Sequence, residues 1–230
     1  VSGMAIYYVD EVLNGYSKGY LTMLMGVLLV SQLLGMLVFG PIMTKTSKKA
    51  TILIGAPIRI VCTLGLLAFS YEGAPIAPIL ALSAGVGIGN AATLTSIFAI
   101  LADMADVDEL ITSVSRPGIV SGMATFARKI SAGLSAWVIG ILISFAGYDA
   151  SIAKAGLRQS LHTQNGIAMI FIFLPVILVT LLLIFGYMFP ITKKEFELVH
   201  KEIARRKGED DSVATEEEKK VLKRVTGIEY

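Results

Sequence analysis

Residues 102–129 read ADMADVDELITSVSRPGIVSGMATFARK, an acidic loop running into a long apolar helix that carries Arg128 and Lys129 side by side. Counted from Gly118, Lys129 lies about eleven residues in. At 1.5 Å per residue that is about 16 Å, roughly the middle of a 30 Å hydrocarbon core. An ionised side chain at that depth costs about 2.5–3.5 kcal/mol even on the lenient insertion scale, so such cations mark a path for a solute or an ion. The chain carries that cost at two adjacent positions. The stretch therefore reads as part of an all-α, polytopic membrane transporter.

The rest of the chain agrees. It is 54% hydrophobic with a mean hydropathy of +0.71, too apolar for a soluble domain of this length. Five apolar runs are long enough to cross a bilayer, at 19–43, 50–71, 76–101, 118–146 and 165–189. Residues 1–9 are apolar but span only about 13 Å as a helix. They carry no basic leader and no small-residue cleavage site, so they read as a partial span over 1–13 and not as a signal peptide. The expectation is a fragment, with one partial and five complete spans in residues 1–190 and a polar tail in 191–230.

Net charge is +2, and its distribution says more than its sum. Lys45, Lys48 and Lys49 crowd one short loop and a basic run follows residue 189, whereas the opposite loops hold only Lys18, Lys154 and Arg158. By the positive-inside tendency, the loops at 44–49 and 102–117 and the C-terminus face the cytoplasm. Cys62 is the only cysteine and lies in a span, and the histidines number two. An internal disulfide is impossible and a His/Cys metal site is not expected.

Proline and glycine punctuate this pattern. Pro41, Pro117 and Pro190 read as span ends, whereas Pro57 and Pro175 fall inside spans as candidate kinks. Gly85 and Gly89, and Gly122, Gly133 and Gly140 in the next span, read as helix-packing positions. In the tail, Thr192 with Glu195 and Thr215 with Glu218 fit capping boxes that start two short amphipathic helices. Phe196, Val199 and Ile203 share a face of the first. That face suits either anionic headgroups or the underside of the cytoplasmic loops. The tail holds ten basic and ten acidic residues from Lys193 to Tyr230, so no nucleic-acid partner is expected.

Within the complete spans stand three cations, Arg59, Arg128 and Lys129, and no carboxylate. A buried charge needs a partner, which places acidic residues on helices of an absent N-terminal half or an anionic group on the solute. Ser121, Thr125, Arg128 and Ser135 form one polar stripe at helical spacing, interrupted by Ala132, with Lys129 at its edge. Thr125, Arg128 and Lys129 are the candidate cation- and solute-binding residues. Arg59 reads as a snorkelling side chain bound for the acidic loop or the headgroups. Asp103, Asp106, Asp108 and Glu109 with Arg116 could form a charge network that seals the inner side. Two other readings stay open. One is a lysolipid or organic-anion carrier; the other, of a different class, is a Mg-dependent prenyl-transfer enzyme holding its ion on Asp103 and Asp106.

The series Ala102-Asp103, Asp106, Glu109, Arg116, Thr125 and Lys129 resembles the glycoside–pentoside–hexuronide:cation symporters, the melibiose-carrier branch of the major facilitator superfamily. The basic loop at 45–49, the tail ITKKEFELVHKEIARRK and the closing TGIEY are similar to a bacterial subgroup of that family. The resemblance implies the C-terminal six-helix half of a twelve-helix fold in the bacterial inner membrane, working by alternating access. It further implies Na⁺- or H⁺-coupled symport of a glycoside, no cofactor beyond that coupling ion, and Asp103, Asp106, Glu109 and Arg116 as a cytoplasmic gate network. The matching lysine contributes to the family's cation site and the matching threonine lies near it, which is what assigns Thr125 and Lys129. This chain departs from the sugar-carrier pattern twice: Asp106-Val-Asp-Glu109 replaces Asp-Tyr-Gly-Glu, and Arg128 adds a charge where the melibiose carriers are apolar.

Overall fold

The computed structural model describes residues 2–14, 19–188 and 193–228. Lys18, Pro190 and Thr192 lie outside the described residues. The architecture is a bundle of long helices: α1 (Ser2–Tyr7, continuing through a π-helical turn Tyr8–Val12), α2 (Tyr20–Lys45), α3 (Lys48–Gly65, with a 3₁₀ turn Leu66–Phe69), α4 (Ile76–Thr112), α5 (Pro117–Phe145), the short α6 (Ala150–Lys154) and α7 (Leu161–Met188). Two tail helices follow, α8 (Lys193–Lys207) and α9 (Glu216–Thr226). Helices α2, α3 with its 3₁₀ turn, α4, α5 and α7 are each long and apolar enough to span a bilayer.

Helix α4 is the axis of the bundle, with α2 and α3 packed against it. Glycines set those approaches. A Cβ on Gly89 would lie 2.7 Å from the Gly55 carbonyl oxygen and 2.8 Å from the Arg59 backbone nitrogen, and one on Gly87 would lie 2.6 Å from the Leu28 carbonyl oxygen. Small residues let the backbones touch where lipid supplies no hydrophobic drive for helix association. The main core sits at the end of the bundle remote from the tail, where α1 inserts Met4, Tyr8 and Val9 among Leu24, Leu66, Ile79 and Phe171. The Tyr8 ring stacks on Phe171 with centroids 4.3 Å apart. By contrast, α5 has a single buried residue, Ile143, and nothing lies within 4 Å of a Cβ added at Gly122, Gly133 or Gly140. The packing expected of those three glycines does not occur among the described residues.

Two local expectations need revision. Residues 102–112, read as loop, continue α4 to Thr112. They contain strong helix formers and no Gly or Pro, and a left-handed Ser113 (φ 56°) ends the helix with its N–H on the Glu109 carbonyl, 2.8 Å away. At 37 residues, α4 is about 55 Å long, well beyond the hydrocarbon core, so its acidic end stands clear of the membrane. Pro41 does not end its span; it sits inside α2, which runs on to Lys45. Pro117 does stand at a span end, in the first turn of α5, where a missing N–H costs nothing.

The tail packs on protein. Val199 of α8 and Leu222 of α9 are fully buried against Leu110 of α4, with Phe196, Ile203 and Val225 around them. The apolar face of α8 is therefore spent on α4 and α9 and not on headgroups. The Thr215–Glu218 capping box forms as the sequence predicts.

Candidate functional site

The Thr125, Arg128 and Lys129 cluster is positioned by α5, which starts at Pro117 and runs unbroken to Phe145. Lys129 is twelve residues from that start, about 18 Å up the helix and near the midplane. Thr125 precedes Arg128 by three positions and Lys129 by four, so it sits one turn away between the two cations. Ala132 stands likewise one turn on the other side. The result is a small-walled notch flanked by a guanidinium and an ammonium. All three candidate side chains are exposed. Among the described residues neither cation makes an ion pair or a hydrogen bond, whereas Ser135 turns its hydroxyl back to the Ser131 carbonyl at 2.6 Å.

The structure spreads the acidic residues over separate partners. Lys48, at the start of α3, pairs with Asp103 and lies 4.7 Å from the Phe196 ring centroid. His200 Nε2 is 3.6 Å from Asp106 and Lys207 Nζ is 2.6 Å from Glu109, both reaching up from α8. Arg206 adds a hydrogen bond from Nη1 to the Leu110 carbonyl at 2.7 Å. Arg116 holds Asp108 with two bonds, 2.9 Å from Nη2 and 3.2 Å from Nε. Among the described residues Arg116 is thus not brought to Asp103, Asp106 or Glu109. The tail helices are the larger part of this charged assembly, and the sequence alone pointed to no partner for Lys48, His200 or Lys207.

Arg59 does not snorkel. Its Nη1 donates to Asn90 Oδ1 at 2.9 Å, and Asn90 Nδ2 donates in turn to Gln32 Oε1 at 2.8 Å. Gly89 opposite clears the room for Arg59 to cross toward α4. A polar chain across α2, α4 and α3 therefore occupies the bundle interior. The signal was present in the sequence, since Gln32 and Asn90 are amides inside apolar runs. At the opposite end of the bundle, Arg158 pairs with Glu72 and donates from Nη2 to the Glu11 carbonyl at 3.0 Å, tying α1 to the loop before α7.

Comparison with known proteins fits this arrangement. A family model described as MFS/sugar transport protein matches residues 1–193. The chain belongs to that family. Its expected place among the glycoside and hexuronide carriers of the major facilitator superfamily holds, and it is an integral, multi-pass membrane protein. It is 27% identical over 212 residues to a glucuronide carrier protein homolog of Escherichia coli K12, covering 90% of this chain and 44% of that protein. It is 33% identical over 125 residues to a candidate sulfoquinovose importer of the same strain, covering 52% of this chain and 24% of that protein. A candidate sulfoquinovose importer of Salmonella typhimurium LT2 is 28% identical over 133 residues, covering 56% and 26%. The chain spans less than half the length of the curated relatives it matches. The family is one of transporters, not enzymes, which sets aside the prenyl-transfer reading. Asp103 and Asp106 also already hold Lys48 and His200, and no group of three metal-type side chains occurs among the described residues.

Proposed function

We propose that the whole protein is a cation-coupled symporter for a glycoside bearing an acidic group, working by alternating access in the bacterial inner membrane with its tail in the cytoplasm. The observation that carries this is the notch on α5: Arg128 and Lys129, mid-span, exposed and without an anionic partner among the described residues. A guanidinium fork matches a carboxylate or sulfonate bidentately, whereas an ammonium acts as a compact point charge. A glucuronide carries the first group and sulfoquinovose the second, the sugars after which the relatives are named. Arg128 therefore takes the acidic group of the solute. Lys129 and Thr125 stand beside the Na⁺ or H⁺ site, whose carboxylates come from the N-terminal half. Asp103, Asp106 and Glu109, paired with Lys48, His200 and Lys207, form the inner gate, with Arg116 bracing it through the neighbouring Asp108. The solute and the bilayer are the partners, and the coupling ion is the only small-molecule requirement.

The test is uptake by the full-length protein in vesicles, comparing an aryl glucuronide with the matching neutral glucoside. Lys129→Ala is expected to abolish gradient-driven accumulation while leaving exchange of solute across the membrane. Arg128→Gln is expected to cut glucuronide transport at least about tenfold, the loss of a charge-assisted bond, while sparing the glucoside. Undiminished accumulation in Lys129→Ala would refute the coupling role, and equal loss of both sugars in Arg128→Gln would refute the acidic specificity.

A further inference from the structure

A buried acid with no part in the solute notch or the inner gate stands at the end of the bundle remote from the tail. Glu11 lies in the π-helical turn that ends α1, where the Leu13 N–H reaches back to the Tyr8 carbonyl at 3.2 Å. Such turns are rare and recur at functional positions. Here Tyr8, Val9, Glu11 and Val12 are buried while Asp10 stays exposed. Glu11 itself is only 6% exposed.

Little compensates its carboxylate among the described residues. One hydrogen bond reaches it, from the Gln159 backbone N–H to Oε2, and at 3.4 Å that bond is long. The Gln159 side chain is committed to Asp149, donating to its carbonyl at 2.7 Å and accepting its N–H at 3.2 Å. The cation acting on Glu11 is Arg158. Its guanidinium is held by the Glu72 carboxylate and, from Nη2, by the Glu11 backbone carbonyl at 3.0 Å. The remaining titratable neighbours offer no positive charge. Asp10 is adjacent and of like sign, and the Tyr7 and Tyr148 rings meet edge to face with centroids 5.3 Å apart. Asp149 turns its carboxylate to the Ser151 N–H and hydroxyl. An ionised carboxylate has about four lone-pair sites to satisfy. A buried one with so few partners is more stable carrying a proton.

We propose that Glu11 is a proton-binding site, and that the bound proton fastens the end of α1 to the connection between α6 and α7. The neutral carboxyl keeps the Gln159 contact and leaves Arg158 to Glu72. When the proton leaves, a second negative charge appears next to Asp10 in a place closed to water, and α1 parts from Gln159 to hydrate it. Packing that favours the protonated form is strongest below the ordinary glutamate value of 4.5 and weakens as pH rises above it. The site is separate from the solute notch, so it does not depend on what the protein carries.

The experiment joins infrared difference spectroscopy to spin-label distances on the purified full-length protein in detergent, from about pH 5 to about pH 8. The labels go at Ile6 and Leu161, both exposed, in a Cys62→Ser background. As pH rises, a protonated-carboxyl band should be lost and the distance distribution should broaden with the same midpoint. Glu11→Gln is an uncharged isostere that can still accept the Gln159 N–H. It should lack the band and keep the narrow distribution throughout. Should that variant fail to fold, Asp10→Asn decides: with the like charge gone, the midpoint should move to lower pH. A band that survives Glu11→Gln puts the proton on another acid and overturns the proposal. A midpoint that Asp10→Asn leaves unmoved overturns it too, as does the absence of any titrating band. A band that titrates while the distances stay fixed overturns the fastening.

Discussion

Replacing Gly89 by Ala should separate α3 from α4, and the structure sets the size of the effect. The new methyl would sit 2.7 Å from the Gly55 carbonyl oxygen, 2.8 Å from Arg59 Cβ and 2.8 Å from the Arg59 backbone nitrogen. Two of the three are backbone atoms, which no rotamer change can move. Reaching ordinary contact near 3.5 Å requires α3 to retreat by about 0.7 Å. Overpacking of this kind costs about 1–3 kcal/mol. Alanine returns up to about 1 kcal/mol of helix propensity, while the retreat weakens the charge-assisted Arg59–Asn90 bond, which is about 1.5–3 kcal/mol. The net destabilisation is therefore about 2–4 kcal/mol. At about 2–4 °C per kcal/mol for a unit of this size, the midpoint should fall by roughly 5–15 °C. Thermal unfolding of the full-length protein in detergent measures it, with Gly26→Ala as control because nothing lies within 4 Å of a Cβ there. If Gly89→Ala melts with the control, glycine contact is not what joins α3 to α4.

Two further outcomes concern the tail. Leu222 is fully buried, so Leu222→Ala should cost about 2–5 kcal/mol and release the α8–α9 hairpin from α4. Trypsin should then cleave at Lys201 and Arg205 well before it cuts the wild-type tail, and equal protection would refute the docking. Glu218 has its pKa lowered to about 2, first by the hydrogen bond from Arg205, then by the Thr215 backbone N–H and by Lys201. A depressed carboxylate stabilises the fold above its ordinary value of 4.5, and that contribution disappears as pH falls through about 2. The distance between spin labels at Glu197 and Lys220, in a Cys62→Ser background, should hold from pH 8 to 5 and broaden progressively below about 4.5. In Glu218→Gln that acid transition should vanish; its persistence would assign it to another carboxylate.

Much was legible in the sequence because hydrocarbon imposes a simple rule. A backbone in lipid must satisfy its own hydrogen bonds, so unbroken apolar runs can only be helices, and the five spans appear with their ends displaced by a few residues, apart from the long extension of α4 to Thr112. The Thr215 capping box was equally readable, since its donors and acceptors lie within one turn. The α4 extension escaped because its carboxylates resembled a solvated loop. As helix, they meet Lys48, His200 and Lys207, residues 55, 94 and 98 positions away from their partners.

The α5 cations illustrate the division. That Arg128 and Lys129 lie mid-membrane follows from counting residues along a helix of fixed rise, a local property the chain carries by itself. Which charges find partners inside this half is a matter of which helix faces meet. Arg59, equally deep, is drawn to Asn90 because Gly55 and Gly89 let α3 and α4 touch, whereas no helix among the described residues closes over Arg128 and Lys129. Side-chain chemistry and rise per residue set depth; only the lateral packing of helices distant in sequence decides which charge is enclosed and which is presented.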